Sequence, residues 1–299
     1  MNYLLHILIY LEIYVLVALS LNLVVGYCGL MTLAHSAYFA IGAYSYALLS
    51  LKLHIGFVPS VALGALIAAV CSVAVTLPAW RFRGDFFVMA SLAVQALLFS
   101  AAQNWNAPGA PIGSLSNLTN GPFGIPGVPK PDVFGWRVTS LGEHFVLGLL
   151  VVLMCAFAIW CLISSPWGRL LKALRDDELA ARGLGKSARS AKAQAFAIAC
   201  ALAAIAGGLY ASYVNYIDPS SASLDESLLM LCMVLVGGVG NFRGPIIGAA
   251  VLIAIPEMLR FAHLPDSDAA HVRLLLYGLI LVGMAHFRPQ GLVGEYRLQ

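Results

Sequence analysis

Apolar residues in this chain come in long blocks rather than in alternation or one-sided stripes. Runs with few charges lie at about 4–25, 30–50, 57–80, 86–104, 143–164, 190–215, 226–240, 244–262 and 272–288. A helix needs about 20 apolar residues to cross the hydrocarbon layer of a bilayer, and most of the runs have that length. Barrel strands would alternate polar and apolar positions. These runs are apolar on all sides and rich in Ala, Leu and Gly, the small residues that let helices approach closely in lipid. The pattern predicts an all-α fold: a polytopic membrane bundle of about 8–10 transmembrane helices, some broken, in a single domain over residues 1–299. The opening run, MNYLLHILIYLEIYVLVALSLNLVV, has no Lys or Arg ahead of it and exceeds a signal-peptide core. It is expected to be a retained helix.

Two blocks are interrupted. GYCGLMTLAHS runs from Gly26 to Ser36, and VGGVGNFRGPIIG from Val236 to Gly248. Glycine and proline at membrane depth free backbone groups that must be buried in protein or face a cavity, and transporters build pathways from such segments. A tight turn at the membrane surface fits the same residues, so both alternatives stand. A different break is the stretch of about 105–142, rich in Pro, Gly, Asn and Ser, which reads as a long external loop serving as a docking surface or cap.

Composition agrees with a membrane protein: 61% hydrophobic and 10% charged, against about a quarter charged in soluble domains. A net charge of +3 is too small to argue for nucleic acid. The placement of Lys and Arg says more. With the spans alternating, twelve basic residues fall on the side of the central loop and C-terminus and five on the other. That asymmetry puts the central loop and C-terminus in the cytoplasm. The side of the N-terminus depends on whether 26–36 is a turn or a re-entrant break. The six cysteines lie in or beside apolar runs without CxxC or His spacing, so they read as small packing residues, with no disulfide framework and no metal site.

One charged stretch breaks the apolar pattern. GRLLKALRDDELAARGLG, Gly168 to Gly185, holds seven of the thirty-one charged side chains. Ser165-Pro166 is a helix start, with a capping side chain and then proline in the first turn. Gly183 and Gly185 are stops. Leu170, Leu171, Leu174 and Ala181 fall near one face, and Lys172–Asp176, Glu178–Arg182 and Arg175–Glu178 are spaced to pair. The expectation is one short amphipathic helix over about 166–185. It either rests on lipid headgroups or docks into a soluble partner. The GKS at Gly185 to Ser187 is not a nucleotide-binding loop, because Ala180 stands where that loop needs glycine and no strand precedes it.

ELAARGLG resembles the cytoplasmic E-A-A-x-x-x-G loop of permease subunits of ABC importers: Glu178, Ala180, Ala181 and Gly185 match, with Leu179 as one extra residue. ALSLNLVVGYCGLMTLAHSAYFAIGAY, RGDFFVMASLA, GLYASYVNYIDPSS, MVLVGGVGNFRGPIIGAAVLIAIPEML and FRPQGLVG are similar to successive blocks of the bacterial high-affinity branched-chain amino-acid permeases, the LivM-like half. The likeness spans nearly the whole chain and departs from the family most over 107–141. It implies a transport subunit that is not itself an enzyme and carries no cofactor, ATP being bound by partner subunits. The implied partners are a second related permease, two cytoplasmic ABC ATPases, a periplasmic solute-binding protein and the lipid of the inner membrane, with no nucleic acid. It makes 166–185 a coupling helix, with Arg175, Asp176, Glu178, Ala181 and Gly185 as contact or cap residues.

Few ionisable groups lie within the spans: Glu12, Glu257 and, at a span start, Asp85. They form no acid/His chain of the kind a proton relay needs. An aliphatic zwitterion needs an apolar wall and brief polar contacts, and helix N-termini at the broken segments suit its carboxylate. Asn22, His35, Ser36 and Asn241 are the pathway candidates. Urea or short amides are the alternative cargo, and an ion-coupled secondary transporter is the alternative mechanism.

Overall fold

The computed structural model describes residues 2–79, 85–133, 135–260, 266–288 and 290–293. Arg81, Arg83 and Arg297, counted above for orientation, and the side chain of Asp85 lie outside what is described. Eleven α-helices are present among the described residues: α1 (Asn2–Asn22), α2 (His35–Lys52), α3 (Phe57–Ala79), α4 (Asp85–Asn104), α5 (Leu141–Ser164), α6 (Pro166–Asp176), α7 (Glu178–Gly183), α8 (Ala188–Val214), α9 (Leu224–Gly237), α10 (Gly244–Arg260) and α11 (Asp266–Phe287). α1 continues into a π-helical turn, Leu23–Tyr27.

Burial sorts the helices. The membrane-length windows of α1 and α8 are each 72% buried inside the protein, whereas those of α5 and α4 are 28% and 17% buried. α1 and α8 are therefore central, together with the largely buried α2, and α4 and α5 turn most of their surface outward. Glycine permits the closest crossing: a Cβ at Gly42 of α2 would sit 2.0 Å from the Ala204 carbonyl of α8, and one at Gly207 would sit 1.9 Å from the Phe39 carbonyl. The same device closes the α9–α10 hairpin, where a Cβ at Gly248 would lie 1.9 Å from the Met233 carbonyl.

The ends of the bundle differ. The start of α1 meets the end of α8 through a His6–Tyr213 hydrogen bond. The start of α5 meets the same tyrosine, with His144 and Tyr213 rings 5.1 Å apart. The Tyr3 hydroxyl donates to Glu257 near the end of α10. α6 and α7 join the end of α5 to the start of α8, so they lie at the opposite end. The first helix thus begins at the end away from α6–α7.

The 105–140 segment folds over the far end. Two short antiparallel pairs form there, β1 (Ile125–Pro126) with β4 (Tyr216–Ile217) and β2 (Asp132–Val133) with β3 (Trp136–Arg137). Asn215 donates through Nδ2 to the Val128 carbonyl at 2.8 Å, and the Tyr46 hydroxyl donates to the Pro129 carbonyl at 2.8 Å. The all-α expectation thus gains four strands of two residues each; they satisfy backbone groups where the loop covers the helix ends.

Candidate functional site

The charged stretch is two helices, not the single one expected over 166–185. Ser165 caps α6, its hydroxyl accepting from the Gly168 N–H, with Pro166 in the first turn. The break falls at Asp177. Its backbone is extended (φ −150°, ψ 101°), and its carboxylate accepts the Ala180 N–H at 2.9 Å, capping α7. Aspartate favours an N-cap over a helix interior, so the acidic pair Asp176-Asp177 ends one helix and starts another. Gly185 follows in a left-handed conformation (φ +75°) with open space around it.

Leu171, Leu174 and Ala181 are buried against the bundle, as the spacing predicts. Outward stand Asp176, Asp177, Ala180 and Lys186, together with Leu179 (74% exposed) and Leu184 (81%). Two charged residues point elsewhere. Glu178 pairs with Arg182 and receives Lys192 Nζ of α8 at 2.8 Å, tying α7 to the bundle. The Arg175 side chain is only 13% exposed; its Nε meets Asp176 at 3.0 Å and its Nη1 donates to the Gly26 carbonyl at 2.7 Å. Lys172, expected to pair with Asp176, instead places Nζ 5.4 Å from the Tyr27 ring centroid.

The two interrupted segments touch each other. Asn22 is 1% exposed. Its Nδ2 donates to the Asn241 carbonyl at 2.9 Å, and its Oδ1 accepts the Gly240 N–H at 3.0 Å. A Cβ at Gly26 would fall 2.5 Å from the Gly240 nitrogen. Asn241 donates onward to the Val293 carbonyl at 2.9 Å, and the Leu292 and Val293 N–H groups reach the last carbonyls of α9, Val236 and Gly237, at 2.9 and 3.0 Å.

His35 and Ser36 belong to a second, separate polar cluster. α2 starts inside the protein, and Ala34 before it offers no cap, so the first N–H groups need partners from elsewhere. The Ser36 N–H donates to Ser227 Oγ at 3.1 Å and the Ala37 N–H to Gln95 Oε1 at 3.2 Å. Ser36 Oγ donates to the Ser223 carbonyl at 2.8 Å and accepts from Gln95 and Ser227, while His35 Nε2 and Ser20 Oγ share a hydrogen bond of 2.8 Å. Sequence reasoning missed Gln95, Ser223 and Ser227. A glutamine in the middle of the apolar run of α4 was the available signal.

A cavity of about 630 Å³ opens between α1, α9, α10 and α11, lined by Tyr10, Tyr14, Glu226, Met233, Leu252 and Tyr277 among others. The Tyr14 hydroxyl donates to Glu226 at 3.1 Å. Asn22, His35, Ser36 and Asn241 are not among its lining residues; each serves a contact within the protein. Glu12 lies away from it. It is 7% exposed, neither carboxylate oxygen has a partner among the described residues, and a Cβ at Gly148 of α5 would stand 2.5 Å from Oε2.

No solved structure matches the chain. It is 32% identical to the high-affinity branched-chain amino acid transport system permease protein LivM of Escherichia coli (strain K12), over 96% of this chain and 69% of that protein. It is 25% identical to a probable branched-chain amino acid transport permease protein LivM of Methanocaldococcus jannaschii, over 97% and 92% of the two chains. Against the autoinducer 2 import system permease protein LsrC of Yersinia pseudotuberculosis the identity is 29% over 58% and 50%. The family of branched-chain amino acid transport system permease components matches residues 3–285. With its bundle of apolar helices and its two paired helix breaks, the chain belongs to that family.

Proposed function

We propose that this inner-membrane permease carries branched-chain or related hydrophobic amino acids inward, driven by ATP hydrolysed on separate subunits. In this reading a second related permease completes the membrane unit. Two cytoplasmic ATPases seat against α6–α7, and a solute-binding protein delivers cargo at the end covered by the 105–140 loop. The observation that carries it is the α6–α7 pair. It is anchored by Leu171, Leu174 and Ala181 and presents Asp176, Asp177, Leu179 and Leu184 away from the bundle. Two exposed leucines among charges suit a groove on a protein better than open solvent. Of the residues assigned to coupling, Asp176 contacts the ATPase, Gly185 gives the turn its shape, and Glu178 and Ala181 hold α7 in place.

The 630 Å³ cavity has the chemistry an aliphatic zwitterion requires, with Met233 and Leu252 as apolar wall and Glu226 with its tyrosines toward an ammonium group. The test is reconstitution of the complete transporter in liposomes. ATPase activity stimulated by binding protein loaded with leucine, together with ATP-dependent leucine uptake, is the expected result. Stimulation by urea or a short amide but not by leucine replaces the cargo. Uptake without ATP or partners refutes the mechanism.

A further inference from the structure

The Arg175 guanidinium sits where three pieces of chain converge: the last turn of α6, the π turn and loop after α1, and the loop after α9. Its Nη1 donates to the Gly26 carbonyl at 2.7 Å. An interrupted helix leaves carbonyls that need a partner, and a charged donor makes the stronger bond. The space for the side chain comes from glycines. Gly29 (φ +71°) would put a Cβ 2.8 Å from Arg175 Cγ, and Gly240 (φ +79°) would put one 2.8 Å from Nη1. Both glycines also have the left-handed backbone that other residues adopt at a cost.

We propose that Arg175 is a positioning residue, a strut through which displacement of α6–α7 reaches both interrupted segments at once. This rests on the reading that α6–α7 seats in an ATPase subunit. Arg175 does not itself make that docking contact, because its side chain is 13% exposed where neighbouring Asp176 is 57% exposed. Gly26 and Gly240 are already joined through Asn22, whose Oδ1 would lie 2.1 Å from a Cβ at Gly26 and accepts the Gly240 N–H at 3.0 Å. A side chain that grips one of them therefore moves both. Asp176 holds Nε at 3.0 Å while Nη1 reaches Gly26. That division of labour needs the planar fork of arginine, and a lysine ammonium does not reproduce it.

The test uses the assembled transporter in liposomes with leucine-loaded binding protein. Arg175→Ala is expected to keep the ATPase subunits bound and hydrolysis stimulated, while leucine taken up per ATP falls roughly tenfold, the factor that about 1.4 kcal/mol represents. The geometry also supplies a rescue. A Cβ at position 29 lies 3.4 Å from Arg175 Cβ, close to the separation of about 3.5–4.5 Å across a disulfide. With the six native cysteines replaced by alanine, the Gly29→Cys/Arg175→Cys pair is expected to be uncoupled when reduced and to regain uptake per ATP when oxidised. Gly29→Cys alone measures the cost of a side chain at positive φ. The proposal is overturned if Arg175→Ala lowers uptake and hydrolysis in parallel, if it releases the ATPase, or if the oxidised and reduced pairs behave alike. The docking reading has its own control: absence of a cross-link from Leu179→Cys to the ATPase refutes that reading whatever Arg175 does.

Discussion

Asn22→Ala separates a clamp from a substrate contact. Asn22 is buried, and both ends of its amide are used: Nδ2 on the Asn241 carbonyl at 2.9 Å and Oδ1 on the Gly240 N–H at 3.0 Å. Truncation leaves that donor and that acceptor without their side-chain partner. Both groups are part-buried, so each left unmade costs about 1 kcal/mol, the low end for a buried group, and the pair about 2 kcal/mol. At roughly 2 °C per kcal/mol for a chain of this size, the purified transporter should melt about 4 °C lower. Asn22→Asp should fare no better: one oxygen still accepts from Gly240, but the other faces the Asn241 carbonyl oxygen. Gly26→Ala attacks the same clamp, since its Cβ would overlap Asn22 Oδ1 at 2.1 Å, and the double variant should cost less than the two singles summed. Thermal unfolding in detergent and uptake kinetics in liposomes together decide the matter. A variant with unchanged melting temperature and a raised KM for leucine would place Asn22 on the substrate and refute the clamp.

Gly207→Val drives a branched side chain into the Phe39 carbonyl, which a mere Cβ would approach to 1.9 Å; overpacking of about 1–3 kcal/mol or more should lower the melting temperature. Gly278→Ala, with nothing within 4 Å, should leave it unchanged, and equal losses in both would remove close packing as the cause. Glu178→Lys sets a third cation beside Arg182 and Lys192 and should leave insertion intact while uptake per ATP collapses; normal uptake would count against a role for α7 in coupling. Glu12→Met removes a buried carboxyl whose oxygens have no partner among the described residues. The expected gain is up to about 3 kcal/mol for an acidic group at membrane depth, seen as a higher melting temperature, and a lower one would mean that the carboxyl is paired in the assembled transporter.

The spans were legible because lipid demands length and apolarity of each segment separately, and both are local properties of the chain. The start of α6 was legible for a similar reason: Ser165 and Pro166 act on their own neighbours. The split at Asp177 was not, since aspartate between two helical stretches reads equally as a surface position and as a cap until its backbone angle is known. The pairing of the two breaks was beyond the sequence, because Asn22 and Gly240 are 218 positions apart and an asparagine near a helix end is unremarkable alone. Arg175 was expected as a contact or cap residue of the coupling helix; only the fold shows that it turns inward and that the Gly26 carbonyl lies within its reach.

The stretch that closes the end of α9 comes from much further along the chain. The Val236 and Gly237 carbonyls receive their donors from Leu292 and Val293, and Val293 in turn accepts from Asn241. During translation the terminal acceptors of α9 therefore stay open until some fifty further residues have been made. Synthesis of Leu292 and Val293 and consolidation of the second break become one event. A quality-control protease that samples unfinished chains would find its handle in that interval.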